Sequence, residues 1–138
     1  MSLLKTNSIQ HNDASAANIT LASTGVSTFN AAAIGTVGTL SSSTASTAVN
    51  LAVSNLYNLA LSENTTVAQP TGQVAGQSGS IFITQDGTGS RTAAWHADWK
   101  WAAGTAPTLT TTASAVDRID YVVAAANKIH AVASLDVK

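Results

Sequence analysis

The 138-residue chain contains no cysteine. Disulfide bonds, thiolate metal sites and cysteine nucleophiles are therefore excluded together. Charged residues are also scarce, at 9% of the chain against roughly a quarter in ordinary soluble domains. Because a free monomer normally depends on mixed surface charge for its solubility, this composition favours a protein whose surface is covered by copies of itself or by a neighbour. An uncharged polar surface of Ser, Thr and Asn is the alternative interpretation.

Long apolar runs and basic clusters are missing as well. No stretch approaches the roughly 20 apolar residues that span a bilayer, and residues 1–5 (MSLLK) lack the apolar region of a secretory signal peptide. The net charge is −1, and the six basic residues are dispersed along the chain. The sequence therefore predicts neither a membrane nor a nucleic-acid partner.

What the chain does contain is a series of short segments rich in β-branched and aromatic residues. Residues 80–84 (SIFIT) lie between glycines and the turn sequence DGTG at 86–89, which predicts a strand. Residues 91–95 are predicted to form the returning strand and residues 98–101 a third. Alternation of apolar and polar residues predicts further strands at residues 18–22, 26–29, 47–54, 56–62, 65–68, 116–124 and 129–137.

Strands separated by turn residues about every 8–12 positions are typical of an antiparallel β-sandwich or a jelly-roll-like barrel. We therefore expect an all-β fold in which residues 47–138 form the sandwich body. Residues 1–46 are expected to form an N-terminal β-hairpin arm and a linker, although the hairpin would equally suit the main sheet. The linker lies at residues 31–46, where two glycines and a Ser/Thr run weaken a helix. A helix over residues 113–126 competes with the strand prediction, but the density of β-branched residues favours strands.

The few large aromatic side chains are the candidate core or interface residues. The three tryptophans fall within residues 95–101 and must dominate any core in a chain so rich in Ala, Ser and Thr. Because exposed tryptophans stack on sugar rings, a carbohydrate-binding face is the alternative interpretation; packing in the core or at a subunit contact is favoured. The candidates are Trp95, Trp99, Trp101, Phe82, Tyr121 and Phe29.

No metal or cofactor site is indicated. His11, His96 and His130 lack the spacing of zinc ligands, although a cation on an axis between subunits stays open. The loop at residues 86–89 lacks the other oxygen ligands of a calcium site and predicts a hairpin turn instead.

No catalytic constellation is indicated either. Residues 76–79 (GQSG) lack the G-x-S-x-G pattern of a nucleophile elbow. Asp117 and Asp120 are the closest pair of carboxylates, but on a strand they would face opposite ways, which does not favour a glycosidase dyad. We therefore expect a protein that is not an enzyme.

Five short motifs lie in the predicted body: GQSG at 76–79, IFITQD at 81–86, TGSR at 88–91, GTAPTL at 104–109 and AVD at 115–117. Together they resemble a β-rich domain that recurs in tail-fibre and virion-surface proteins of tailed bacteriophages, cyanophages included. The resemblance runs from about residue 47 to the C-terminus and brings no catalytic residue with it. Residues 7–30 resemble the short β repeats near the start of phage fibre and surface proteins, which tend to pack against another subunit.

The resemblance implies a virion structural protein made in the host cytoplasm. The short chain with one arm and one body favours a capsid decoration or cement protein that binds the capsid surface as a symmetric oligomer and stabilises the shell. Its expected partners are copies of itself, as a homotrimer by analogy with phage fibres and decorations, and the major capsid protein. A tail fibre or tail adaptor, with tail proteins as partners, is the first alternative. A carbohydrate-binding module for host attachment is the second.

Overall fold

β-strands make up nearly all the regular secondary structure, and one 3-10 turn is the exception among the described residues. The structure is a computed structural model that describes residues 8–9, 19–21, 24, 27–29, 34–42 and 45–138. The chain divides into two units, residues 1–34 and 35–138. The predicted all-β fold class is confirmed.

The described residues of the N-terminal unit form three short antiparallel strands in the order β1-β2-β3. They are β1 (Ser8–Ile9), β2 (Ile19–Leu21) and β3 (Ser27–Phe29). β2 and β3 pair antiparallel, with Ile19 opposite Phe29, so the predicted pairing of these two strands is confirmed. His11 lies outside the described residues.

The larger unit begins with three successive turns of chain that stack in parallel. Each turn contributes one strand to a large sheet and the next strand to a small sheet, as in a parallel β-solenoid, where each repeat contacts its neighbours. In the large sheet the parallel neighbours are β4 (Val37–Ser41), β6 (Leu56–Leu61) and β8 (Ser78–Gln85). In the small sheet they are β5 (Ser46–Thr47), β7 (Thr65–Val67) and β9 (Ala93–Trp95).

The described part of residues 31–46, which we predicted to be an irregular linker, contributes the first of these turns. β4 pairs with β6, and β5 pairs with β7. Gly38 is tolerated inside β4 because it lies against the ring of Tyr57, which a Cβ at this position would overlap. The division into units falls after residue 34; a domain boundary after residue 46 stays a prediction.

Three further strands complete the large sheet, whose order is β10-β12-β11-β8-β6-β4. They are β10 (Trp99–Lys100), β11 (Val116–Ala125) and β12 (Lys128–Ser134). β11 pairs antiparallel with β8 and with β12, whereas β10 pairs parallel with β12. The strands predicted at residues 116–124 and 129–137 are confirmed as the hairpin β11-β12, and the competing helix over residues 113–126 is not formed. The 3-10 turn, Ala102–Gly104, follows β10.

Both sheets therefore differ from the purely antiparallel arrangement that we predicted. Residues 91–95 do not return beside β8, because β9 lies in the small sheet, parallel to β7. Residues 47–54 do not form one strand either; Val49 and Leu51 are buried in the corner between β5 and β6. Side chains alternate between faces in parallel and antiparallel strands alike, so the pattern predicts a strand without its direction of pairing.

One apolar core is shared by the two sheets. The inward residues of β6 are Tyr57, Leu59 and Leu61, as the alternation predicted. Buried hydroxyl groups add polar contacts between successive turns, since Thr47 Oγ1 lies 2.9 Å from Thr65 Oγ1. The neighbouring strands β8 and β11 bury Ile81, Ile83, Ile119, Tyr121 and Val123.

Candidate functional site

The three tryptophans form one cluster where the chain passes from the small sheet to the large sheet. Trp95 ends β9 and Trp99 begins β10. The ring centroids of Trp95 lie 5.1 Å from those of Trp99 and 4.9 Å from those of Trp101, in T-shaped geometry. Trp99 meets Tyr121 in the same way at 5.8 Å. Each such contact contributes about 0.5–1.5 kcal/mol to stability beyond the burial of apolar area. The cluster therefore fixes the third turn of the stack, β8 and β9, against β11.

Asp98 holds the turn between β9 and β10. Its carboxylate lies 3.3 Å from Nδ1 of His96 and accepts a 3.2 Å hydrogen bond from Nε2 of Gln69. The backbone oxygen of Asp98 accepts the N–H of Ile129 at 2.9 Å. The buried aspartate therefore links the third turn of the stack (β8 and β9) to the second (β6 and β7) and to β12. It also positions the tryptophans on either side of it, Trp95 and Trp99.

A cavity of about 370 Å³ opens beside this cluster and is lined by all three tryptophans with His96 and Lys100. Trp99 is only 3% exposed, whereas Trp95 and Trp101 are half-buried. The three indole N–H groups are shielded from solvent and have no hydrogen-bond acceptor among the described residues. The T-shaped contacts bring ring faces close to the edges of neighbouring indoles, and a ring face is a weak acceptor for an N–H group. The cluster is thus arranged mainly as packed core, and the half-buried rings of Trp95 and Trp101 are its more exposed part at the cavity.

The other candidate residues occupy different environments. Tyr121 is buried and donates a 3.0 Å hydrogen bond to the carbonyl oxygen of Asn55. Burial, with a smaller contribution from Tyr57, raises the pKa of Tyr121 to about 12. Phe82 is half-buried on the outward side of β8, and Phe29 is 61% exposed in the N-terminal unit. An interface role for these residues stays a prediction.

Asp117 and Asp120 face opposite sides of β11, as predicted. Asp117 is buried and accepts the backbone N–H groups of Thr110 at 2.7 Å and Asp136 at 2.8 Å. Its carboxylate therefore stabilises the two segments that flank the strand. The two acids do not converge on a common site.

The DGTG segment at residues 86–89 forms a turn, although the chain then enters the small sheet instead of returning along β8. Oδ1 of Asp86 accepts the backbone N–H groups of Thr88 at 3.0 Å and Gly89 at 2.7 Å. The hydrogen bond from the Arg91 side chain is the largest cause that lowers the pKa of Asp86, and burial opposes it. Among the described residues, no group of three His, Asp or Glu side chains could hold a metal ion.

The outward side of the large sheet carries an apolar surface that the sequence analysis missed. Val37, Val122 and Val132 are 49%, 51% and 61% exposed. A signal was present in the sequence, because Val122 lies between the inward residues Tyr121 and Val123 and makes β11 apolar on both sides. We define the apolar face as Val37, Leu56, Phe82, Val116, Val122 and Val132.

A family model described as "Putative phage tail fibre C-terminal domain" matches residues 43–125. The chain belongs to this family. The match covers more than half of the tail-fibre domain protein and includes β5 to β11, and with them the tryptophan cluster. The protein is therefore a phage virion structural protein, as the resemblance implied. Comparisons with curated proteins and with solved structures found no match.

Two further observations describe the tail-fibre domain protein. β4 precedes the matched region and β12 follows it, so the matched segment forms its complete large sheet only with both flanking strands. The described residues contain no helix of the length and apolarity that crossing a membrane requires.

Proposed function

We propose that this protein is a component of the phage tail, where it serves as a structural element of a fibre or of the adaptor that attaches one. The match to a tail-fibre domain family carries the proposal. The match therefore favours the tail over the capsid, whereas the sequence alone favoured capsid decoration. Both hypotheses share a location in the virion, and they differ in the partner, which is a tail protein in one and the major capsid protein in the other.

The stacked turns suit a mechanical role. Backbone hydrogen bonds join each turn to the next in both sheets. Side-chain hydroxyls repeat the connection, since Ser42 Oγ lies 3.2 Å from Ser62 Oγ and Thr47 contacts Thr65. In a stack of this kind the contacts between neighbouring repeats supply the stability. Force along the stack would be distributed over many parallel contacts.

The role that we propose includes no catalysis. In serine hydrolases a histidine stands between the serine and the acid and accepts the serine proton. Here Ser80 Oγ donates directly to Asp120 Oδ1, and Nε of Arg118 donates to Oδ2 of the same carboxylate at 3.0 Å. This arrangement supports a structural function for the polar residues of the large sheet.

Location in the particle tests the proposal. We would label an antibody against the protein with gold, image intact phage by electron microscopy, and measure copies per particle against the major capsid protein. We expect gold at the tail and a copy number far below that of the capsid protein. Gold distributed over the shell, with a copy number close to that of the capsid protein, would instead support decoration. Purified particles that lack the protein would contradict both hypotheses.

The cavity beside the tryptophans supports a second candidate, carbohydrate binding. The half-buried Trp101 is the appropriate residue to remove, because truncating the buried Trp99 would cost about 3–5 kcal/mol of stability. Phe82→Ala provides a matched control, since Phe82 is half-buried on another surface. Glycan-array binding that Trp101→Ala abolishes and Phe82→Ala retains, with both variants folded by near-ultraviolet circular dichroism, would support this function. No binding by the native protein would exclude it.

Assembly with copies of itself is part of the same proposal. The scarcity of charged residues favours a covered surface. The homotrimer that we expected from the analogy with phage fibres and decorations stays a prediction.

A further inference from the structure

We propose that the apolar face of the large sheet docks against the same face of a second copy of this chain. The inference rests on the proposed function in one respect only, that the protein assembles with itself. It does not depend on whether the protein lies in the tail or on the capsid.

The outward side chains form continuous rows across neighbouring strands. One row runs through Val132, Asp120, Ser80, Leu56 and Val37. Apolar side chains thus occupy both ends of this row and a position between them. Within a sheet, such rows produce a flat surface whose side chains can interdigitate with those of another sheet.

A second, more polar row lies beside the first, with Phe82 as its apolar residue. It contains Ser134, Arg118, Phe82, Asn58 and Thr39. A shallow depression of about 520 Å³ borders the first row where β8, β11 and β12 meet, and Val122 and Val132 line it. Large side chains therefore lie next to small ones and next to this depression. Protruding side chains of a second copy can fill the depression.

The charges on the apolar face are self-complementary. Nη2 of Arg118 lies 3.0 Å from Oδ2 of Asp120, with the two side chains 42% and 35% exposed. The pair neutralises itself within one copy, so two copies meet without net repulsion. A partner with a large charge of one sign would meet Arg118 and Asp120 together, and so no net opposite charge.

The size of the surface suits a weak contact between two copies. The face lies on the five strands β12, β11, β8, β6 and β4, which at about 4.8 Å spacing span roughly 20–25 Å. Along β11 the outward residues from Val116 to Val122 extend over roughly 20 Å, at about 3.3 Å per residue. Each copy thus offers roughly 400–500 Å², and two copies would bury about 800–1,000 Å², the size range of weak interfaces.

The test compares glutamate substitutions on and off the apolar face in the full-length chain. Val122→Glu and Val132→Glu place a charge on the face, whereas Val53→Glu and Val74→Glu change valines elsewhere that are somewhat more exposed. Sedimentation equilibrium gives the mass relative to the 13.9 kDa chain. We expect the native protein and the controls to associate, and each variant on the face to raise the dissociation constant roughly tenfold or more. Circular dichroism verifies that all four variants are folded.

The outcomes separate this surface from the broader proposal. If the native protein associates and the face variants associate equally well, another surface mediates assembly and only this inference fails. If the native protein is monomeric at high concentration, self-assembly and the inference both fail, while tail location is still decided by immunogold labelling. A third readout uses Val132→Cys, the sole thiol in the chain. Its maleimide labelling should slow as protein concentration rises, whereas protection independent of concentration would mean that the chain covers this face itself and would overturn the inference.

Discussion

Gly79→Ala is expected to destabilise the protein severely, because the backbone of another turn passes against this glycine. Gly79 faces inward in β8. A Cβ at this position would overlap the carbonyl oxygen of Asn55 and would lie 2.7 Å from its carbonyl carbon and 2.7 Å from Oη of Tyr121. A contact this short with backbone atoms can be relieved only by moving the segment that precedes β6.

The expected magnitude follows from the contacts that this movement would disturb. The carbonyl oxygen of Asn55 accepts two hydrogen bonds, from the N–H of Ser80 at 3.0 Å and from the hydroxyl of Tyr121 at 3.0 Å. Each contributes about 1 kcal/mol, and overpacking a core typically costs about 1–3 kcal/mol more. We therefore expect Gly79→Ala to lower the free energy of unfolding by about 3–5 kcal/mol.

Urea unfolding followed by tryptophan fluorescence measures this loss, because the tryptophan cluster reports on the core. Gly87→Ala is the matched control, since a Cβ at Gly87 would meet no atom within 4 Å and its backbone is not in the left-handed region. We expect this control to change the unfolding free energy by less than about 0.5 kcal/mol. A loss below about 1 kcal/mol for Gly79→Ala, or equal losses in the two variants, would refute the close approach of the two backbones.

Three further variants test the polar contacts of the core. Burial raises the pKa of Tyr121 from 10.0 to about 12, so the native state retains this proton to a higher pH than the unfolded state does. The free energy of unfolding should therefore fall by about 2–3 kcal/mol between pH 10 and 12. In urea titrations at alkaline pH, Tyr121→Phe should reduce this loss. Asp117→Ala leaves two backbone N–H groups without their acceptor and should cost about 2–4 kcal/mol in thermal unfolding; an unchanged midpoint would contradict this. Thr47→Val removes the buried hydroxyl contact with Thr65 and should lower the free energy of unfolding by about 1–2 kcal/mol. The control Thr66→Val, at an exposed position, should leave it unchanged.

Individual strands were largely predictable from local patterns. In β6 and β11 the strict alternation identified the inward residues, among them Tyr57, Leu59 and Ile119. Asp86 followed by glycine identified a turn that the aspartate side chain closes on the backbone. These features depend on a residue and its near neighbours in the chain, so the sequence reveals them directly.

The pairing of the strands was not predictable in the same way. Parallel stacking requires the chain to pass through the small sheet before it returns beside its previous turn, and periodicity contains no information about that path. The corner at residues 47–54 illustrates the difficulty, because Val49 and Leu51 alternate with polar or small residues as a strand would and yet are buried between β5 and β6. The repeat itself is hard to detect, since the turns differ in length and share no motif.

By itself, the amino-acid sequence determined the strand class, the inward residues of the longest strands, the main turns and the resemblance to phage structural proteins. Tertiary structure alone decided that the turns stack in parallel, that Trp99 is buried while Trp101 borders a cavity, and that Gly79 lies against a carbonyl group of another turn. The reason is that backbone conformation follows from neighbouring residues, whereas pairing partners and burial depth depend on residues far away in the chain.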